Sequence, residues 1–596
     1  MGDKKQLLEQ FYINEEQSIY LMSHEDARKV RDWLNLCQNQ LVQLGFTAIE
    51  LVGKGAFGFV FGGHSPQGED LVFKFSRINL PQVVQDRLEE EAWMQARLTH
   101  RYIPKFYEYT RLARQSVLVM ERARGIDLEA YSLQVGRLPA RLIIRITWQL
   151  VEVLNAIRSY KNERGEDAPL VHGDIKPSNI VFDPVTETIQ LVDWGSSVFA
   201  QLDAQGQPVD VGMSGFSAST QTNARLGDVF FIGDEQLNGG LSSPRFDEQG
   251  LAGTLYALAS AQSCRHGILA IPATDLDLPP VFAANLQDLL TGDETTRAAA
   301  GNKMLSQAHH LKHWVIEDEP LAKVASKLPV WVTEQKEALE TVVYSSRRTF
   351  LRAEQPDPSL LAGIKDIELE KYYKNFLQGM GPTEKAFLAA VSRLGRYPLL
   401  GGLTLQWKDQ QLLVDSSLKL HDPSLKKSFI DSVNNLITLA RSIDRKAGVF
   451  KACMFDARAT CHLERADESL PFLPPDNWHL PYEILPTPAT GDHSYSHSYF
   501  EDGEDPDELL RLPQAIIDAL ARMNSLRHTG LIIFEALPRH LKVHSYYVLL
   551  DASQEPEFAA CLAAIRQAIS QIDNLGVAGY MKLPYKNTRR FQLIWE

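Results

Sequence analysis

The sequence predicts an α+β chain of two to four domains, preceded by a helical extension. Three observations carry this expectation. At 596 residues the chain is too long for one hydrophobic core. Short runs rich in β-branched and aromatic residues, at 46–52, 71–75 and 116–120, read as strands and give way to an amphipathic helical run at 139–160. Beyond residue 316, strand-like and helical runs alternate again with no repeat evident in the sequence.

The first 45 residues read as the extension. Ser23 is placed to cap a helix whose first turn carries Glu25 and Asp26. Val30, Trp33, Leu34, Cys37, Leu41 and Leu44 then recur at helical spacing, which predicts a helix packed on the next domain. The strand at 46–52 runs into Gly53-x-Gly55-x-x-Gly58-x-Val60, a loop whose glycines would let backbone approach phosphates. Lys74 interrupts the apolar run Leu71-Val72-Phe73-Lys74-Phe75. A buried ammonium needs a partner, and the acidic run Glu89-Glu90-Glu91 that follows offers candidates. The helix at 139–160 shows one apolar face through Leu142, Ile143, Ile146, Leu150, Val153, Leu154 and Ile157. It delivers the chain to His172-Gly173-Asp174-Ile175-Lys176-Pro177-Ser178-Asn179, where a carboxylate, an ammonium and an amide stand at offsets 0, 2 and 5. Asp193-Trp194-Gly195 follows a further strand-like run. A hydroxyl-proton acceptor together with oxygen ligands for magnesium is what phosphoryl transfer requires.

These residues resemble the landmarks of eukaryotic-type (Hanks-type) Ser/Thr protein kinases over about residues 46–315: the Gly-rich loop, the strand lysine, the H-R-D-x-K-x-x-N catalytic loop and the D-F-G metal motif. Gly173 departs from the usual Arg and Trp194 from the usual Phe. The resemblance implies a bilobal fold with an N-lobe at 46–122 and a C-lobe at 123–315. It implies that Gly53, Gly55, Gly58, Val60, Lys74, Met120, Glu121 and Ala123 hold ATP, with Met120 as the gatekeeper and Glu121 to Ala123 as the hinge. Asn179 and Asp193 would ligate Mg2+, or Mn2+ in its place. Asp174 would take the hydroxyl proton, Lys176 would offset charge on the moving phosphoryl group, and Glu91 would hold Lys74. Asp127 is placed either for a ribose contact or as a helix cap.

Residues 195–234, crowded with Gly, Ser, Thr, Gln and Asp, resemble an activation segment with Ser214, Ser217, Ser219, Thr220 and Thr222 as phosphorylation candidates. Its end departs from the family pattern. Asp228 stands at the usual Thr, Gly233-Asp234 replaces Ala-Pro, and Glu235 keeps the glutamate, for which Arg297 is the expected partner. Asp247 is expected to tie the catalytic-loop backbone from below. The implied activity is a Ser/Thr protein kinase acting on a protein substrate and regulated by its flanking regions. His172-Gly173-Asp174 also suits a small-molecule phosphotransferase, and Gly173, Trp194 and Asp228 leave a pseudokinase scaffold as a third reading.

Residues 316–596 match no family by their residues and are expected to form an α+β region, with room for two subdomains and a regulatory partner. Helices are expected at 329–352, 364–394, 424–446 and 555–572. A hairpin is expected at 403–415, strands at 530–550 and 590–595, and a proline-rich acidic loop at 469–507. His493 and His497 in that loop read as solvated side chains rather than metal ligands. A net charge of -14 argues against nucleic acid and against anionic membrane as partners. No run approaches the ~20 apolar residues of a membrane span, and no secretory signal is seen. Cys37, Cys264, Cys453, Cys461 and Cys561 fit neither a zinc pattern nor a disulfide framework, so reduced thiols in a cytoplasmic protein are expected.

Overall fold

The computed structural model describes residues 24–54, 58–76, 82–112, 115–209, 227–316, 324–334, 339–345, 380–445, 447–486, 510–583 and 588–594. The chain divides into two compact units, one of Val30–Val324 with Leu369–Ala390, the other of Met1–Lys29, Ala325–Glu368 and Val391–Glu596. The first unit has a β-sheet lobe and a helical lobe. Its opening helix α1 (His24–Gln43) is followed by β1 (Thr47–Lys54), β2 (Gly58–His64), β3 (Asp70–Ser76), α2 (Gln82–Gln95), β4 (Phe106–Leu112) and β5 (Gln115–Glu121). The strands form one antiparallel sheet in the order β1-β2-β3-β5-β4.

The two faces of this sheet are set by strand alternation. Phe59 and Phe61 on β2 and Phe73 and Phe75 on β3 point one way and pack with Cys37, Leu41, Trp33 and Val30 of α1. Trp33 meets Phe59 edge-on at 4.6 Å between centroids. The helical spacing in the extension therefore covers the sheet's outer face. Val60 and Lys74 are cross-strand partners and so share the opposite face.

The helical lobe contains β6 (Ile126–Asp127), α3 (Leu128–Val135), α4 (Ala140–Arg158), β7 (Leu170–Val171), β8 (Ile180–Asp183), β9 (Thr188–Leu191) and β10 (Val198–Phe199). It continues through α5 (Asp234–Leu237), α6 (Arg245–Ser260), α7 (Pro280–Thr291), α8 (Glu294–Ser306) and α9 (Ala308–Leu311). The apolar face of α4 is buried as its spacing predicts, with Ile143, Ile146, Leu150 and Val153 packed against Leu251, Leu255 and Leu258 of α6 in one core. Asp127 caps α3, its carboxylate accepting the Ala130 N–H at 2.8 Å. Residues 210–226, which hold the five candidate phosphorylation sites, lie outside the described residues, as do Ser23, Gly55, His493 and His497.

The second unit corrects two expectations. The run at 329–352 is not helical where it is described: it gives β11 (Trp331–Val332) and β12 (Thr341–Ser345). Thr341-Val342-Val343-Tyr344-Ser345 is buried on both faces and pairs with a strand more than a hundred residues later, so its β-branched run forms a strand covered on both sides and shows no alternation. Next along the chain come α10 (Pro382–Leu394), which counts with the first unit as far as Ala390, and then β13 (Leu399–Lys408), β14 (Gln411–Ser416), β15 (Lys419–Leu420), α11 (Lys426–Arg441), β16 (Ala447–Asp456), β17 (Cys461–Glu464), β18 (Glu483–Ile484), α12 (Gln514–Ser525), β19 (His528–Ala536), β20 (His540–Leu549), α13 (Glu555–Ala568), β21 (Gly576–Lys582) and β22 (Arg589–Gln592). The expected hairpin is β13–β14, turned at Asp409 and Gln410, both with positive φ. The expected loop at 469–507 contains the short strand β18.

The second correction concerns repetition. The order helix–hairpin–helix–strand occurs twice, as α10-β13-β14-α11-β16 and as α12-β19-β20-α13-β21. In each copy the first hairpin strand is central, pairing antiparallel with its hairpin partner and with the strand that follows the second helix. Each second helix is led in by the same turn. Asp422 accepts from the N–H and Oγ of Ser424 at 2.9 and 2.6 Å, and Asp551 from those of Ser553 at 3.1 and 2.7 Å. The two aspartates have φ −139°, ψ 105° and φ −136°, ψ 103°. The two sheets pack face to face through Val342, Leu400 and Phe455 against Leu531, Ile533 and Val548. The sequence hid this repeat because a shared hairpin-and-helix geometry constrains polarity and turn residues far more than identity.

Buried imidazoles make this unit acid-sensitive. His544 bonds Tyr344 Oη at 2.6 Å and Thr460 Oγ1 at 2.8 Å, and burial pushes it well below its ordinary value. Burial, helped by Lys582, lowers His528 from 6.5 to about 3. Below pH 6.5 the unfolded chain binds a proton at each that the folded chain refuses, so stability is full above that value and is lost as pH falls. The unfolding free energy is expected to drop by about 1.4 kcal/mol per pH unit per histidine between about pH 6 and pH 4. Urea unfolding across that range measures it, and a flat profile would contradict the burial of these rings.

Candidate active site

Lys74 lies on β3 between Val60 of β2 and Leu118 of β5 in the ladder. Its Nζ donates to both Glu91 carboxylate oxygens at 2.8 Å and to Asp193 Oδ1 at 2.8 Å. Glu91 is buried on α2, whereas Glu89 is exposed and Glu90 half-buried, so burial separates the acid from its neighbours. Burial raises Glu91, with Lys74 opposing. Burial likewise opposes charge on Lys74, but Asp193 and Glu91 outweigh it and hold the ammonium well above its ordinary range. At Asp193 burial also disfavours the charge, and Lys74 outweighs it, so the carboxylate is held well below its usual range. Its side chain keeps 47% of its surface open, so burial opposes the charge less than full enclosure would, and direct contact with Lys74 prevails. Asp193 has φ 62°, a left-handed backbone for a non-glycine residue.

The loop after β7 brings the other groups together. Asp174 is buried, and its Oδ1 accepts the Asp228 N–H at 2.7 Å while its Oδ2 accepts Asn179 Nδ2 at 2.9 Å. Lys176 Nζ lies 3.1 Å from Asp174 Oδ2 and 3.5 Å from Asp228 Oδ2. Burial opposes its charge, but these two carboxylates hold it well above its ordinary value. Asn179 ends a 3-10 turn that starts at Pro177, a first-turn position suited to a residue without an N–H. Asn179 Nδ2 is spent on Asp174, which leaves Asn179 Oδ1 and Asp193 Oδ2 without a hydrogen-bond donor among the described residues. Two unclaimed oxygens, one of them anionic, form a donor set that suits a hard divalent cation.

The two departures in the catalytic loop have local causes. Gly173 has φ 79°, and a Cβ there would lie 2.8 Å from Ser196 O, so an Arg would be strained. Its N–H and that of His172 both donate to Asp247 at 2.8 Å, as expected for Asp247. Its carbonyl accepts Gln236 Nε2 at 2.7 Å. Trp194 is buried edge-on to His172, with 4.7 Å between ring centroids. His172 Nε2 donates to Val192 O at 3.2 Å, and its Nδ1 accepts the Asp174 N–H at 3.3 Å. Glu235 pairs with Arg297 and accepts Gln249 Nε2 at 3.1 Å. Gln249 also explains Gly233, since a Cβ there would sit 1.4 Å from Gln249 Oε1.

Along the hinge, the Met120 side chain is buried with Leu88, Ala92 and Leu118, and Gln95 Nε2 lies 3.7 Å from its sulfur. Glu121 ends β5, its N–H donating to Lys105 O at 2.8 Å. Ala123 follows with an N–H and a carbonyl that make no hydrogen bond among the described residues. Gly53 and Gly58 bracket the loop that holds Gly55, and Gly53 pairs with Val60. The structure thus joins Lys74, Glu91 and Asp193 in one cluster and Asp174, Lys176 and Asn179 in another. Gln236, on which the catalytic loop leans, was missed, because an uncharged residue on a one-turn helix carries no periodic or charge signal.

The sequence pattern of the protein kinase domain matches residues 46–262. The chain is similar to a probable serine/threonine-protein kinase zyg-1 of Caenorhabditis briggsae, 28% identical over 195 residues, which is 32% of this chain and 26% of that protein. It is similar to serine/threonine-protein kinase PknA of Nostoc sp., 29% identical over 213 residues, 33% of this chain and 36% of that one. It is also similar to serine/threonine-protein kinase PrkC of Bacillus subtilis, 27% identical over 176 residues, 30% of this chain and 24% of that one. The chain thus spans only about a quarter to a third of the length of these relatives. Among the described residues no helix is long and apolar enough to cross a membrane. With a sheet lobe, a helical lobe and this constellation between them, residues 46–262 match the protein kinase domain in fold as well as in sequence pattern.

Proposed function

We propose that the chain is a serine/threonine protein kinase that transfers the γ-phosphoryl group of ATP to a hydroxyl of a protein substrate. The observation that supports this reading is the pair of joined clusters, Lys74–Glu91–Asp193 and Asp174–Lys176–Asn179, with every charged group in contact with a partner. Lys74 holds the α and β phosphates of ATP and is itself held by Glu91. Gly53, Gly55, Gly58 and Val60 cover the phosphates and base, and Glu121 and Ala123 offer backbone groups to adenine beside Met120. Asn179 and Asp193 hold Mg2+ or Mn2+, which when bound supplies positive charge to the phosphate oxygens. Asp174 orients the acceptor hydroxyl. As the acceptor oxygen bonds to the γ phosphorus and the bond to the β-phosphate oxygen breaks, Asp174 takes the hydroxyl proton, and Lys176 offsets charge on the moving group.

Control is assigned to the regions flanking the kinase lobes, residues 1–45 and 316–596, and not to a phosphorylated activation segment. Gly173 has no cation to receive a phosphate, and the Gln236 amide on the Gly173 carbonyl holds the loop without one. The substrate protein meets the site at the end of the activation segment, near Asp228.

Transfer of labelled phosphate from Mg-ATP by the purified full chain to a generic protein substrate tests the reading, and its absence would refute it. Asp174→Ala and Asp193→Ala are each expected to abolish transfer, and Asp193→Ala to weaken Mg-dependent ATP binding as well. Lys74→Met leaves a buried carboxylate unpaired and is expected to lower stability by about 3 kcal/mol. The double variant Lys74→Met, Glu91→Gln is expected to recover most of that stability and none of the activity. Recovery of activity with stability would mark the pair as purely structural.

A second expectation separates the two modes of control. Changing Ser214, Ser217, Ser219, Thr220 and Thr222 together to Ala is expected to leave the transfer rate at the wild-type level. Gln236→Leu removes the hydrogen bond to the Gly173 carbonyl, a loss of about 1–3 kcal/mol when the acceptor stays buried, and is expected to slow transfer in a chain that still folds by circular dichroism. Loss of activity in the five-fold variant, with Gln236→Leu unaffected, would restore phosphate gating.

A further inference from the structure

Asp228 carries a carboxylate into the acceptor side of the site. Its backbone N–H holds Asp174 Oδ1 at 2.7 Å, its Oδ1 accepts the Phe230 N–H at 2.9 Å, and its Oδ2 lies 3.5 Å from Lys176 Nζ. Lys176 is shared, since Asp174 Oδ2 is closer to it at 3.1 Å. Lys74, the other ammonium of the site, is taken up by Glu91 and Asp193. Four carboxylates, Glu91, Asp174, Asp193 and Asp228, thus face two ammoniums before any phosphate enters. Among the described residues Lys176 is the cation paired with Asp228, and 29% of the Asp228 side chain remains open to solvent.

A carboxylate in that place repels the transferring phosphoryl group unless a cation arrives with the acceptor. A divalent cation held by Asn179 and Asp193 would answer the charge of the phosphates. Asp228 stands beside Asp174, joined to it by its backbone N–H and by the shared Lys176. The neighbouring Asp234 and Glu235 add acidic groups on the same segment. Each of them has a guanidinium partner, Arg265 for Asp234 and Arg297 for Glu235, whereas the cation that Asp228 meets among the described residues, Lys176, is shared with the catalytic carboxylate.

We propose that Asp228 is a specificity-determining residue that selects an acceptor serine or threonine flanked by a lysine or arginine, the incoming cation taking the open face of the Asp228 carboxylate. The proposal rests on the kinase reading above. On binding, the acceptor's cation shares Asp228 and frees Lys176 toward the phosphoryl group, so selectivity appears in kcat as well as in KM.

The test uses the full chain with Mg-ATP and two synthetic peptides, one with a serine between alanines and one with arginines on both sides of the same serine. Wild type is expected to favour the arginine peptide by about tenfold or more in kcat/KM, the worth of one charge-assisted hydrogen bond. Asp228→Asn keeps the backbone contact to Asp174 and an acceptor for the Phe230 N–H while removing the charge. It is expected to bring the ratio close to one, as is Asp228→Thr, with KM for ATP unchanged and the salt dependence of the preference gone. Equal use of the two peptides by wild type, or a preference that survives in Asp228→Asn, would overturn the proposal while leaving the kinase reading standing. Phosphate transfer to neither peptide nor any protein would overturn both.

Discussion

The site depends on one electrostatic constraint: an ammonium placed in the sheet interior must find carboxylates. Lys74 sits in a ladder of apolar strands, and desolvating an unpaired charge there would cost several kcal/mol. Glu91 from α2 and Asp193 from the loop after β9 meet that charge at 2.8 Å each. Three elements that are far apart in sequence are thereby fixed to one atom. Asp193 reaches Lys74 from a left-handed backbone, and Trp194 beside it packs edge-on against His172.

A second scaffold holds the catalytic loop through backbone hydrogen bonds. Asp247 takes two adjacent N–H groups of the loop, Gln236 takes the Gly173 carbonyl, and the Asp228 N–H takes Asp174. These bonds satisfy buried backbone groups that would otherwise be orphaned, which is why the loop has one conformation without a charged receiver at 173. The departures from the family pattern are mutually compensating. Gly233 makes room for Gln249, which in turn holds Glu235. Gly173 accepts a backbone angle and a close approach to Ser196 that a side chain would resist.

The second unit follows a different logic. Its two helix–hairpin–helix–strand copies bury one sheet face against each other, while in the later copy the other face is covered by α12 and α13. Polar groups caught between the sheets are paired: His544 is satisfied at both ring nitrogens, by Tyr344 and Thr460. Pairing two sheets in this way gives each module a core that its own length would barely support.

The sequence by itself determined the kinase lobes, because their signals are local. A charge inside an apolar run marked Lys74 for a buried partner, helical spacing placed the buried side of α4, and the offsets from Asp174 to Lys176 and Asn179 lie within one tight turn. It also specified the β13–β14 hairpin, whose turn lies between its strands. Only the tertiary structure decided what depended on distant contacts. The segment 341–345 became a strand because residues 452–456 offered it a ladder, and the repeat is visible in the order and pairing of its strands rather than in its residues. Likewise nothing local marked Gln236 as the partner of Gly173, or the Asp228 carboxylate as a second claimant on Lys176. Those roles come from which backbone atoms a side chain finds across the fold, and a linear pattern holds no record of that distance.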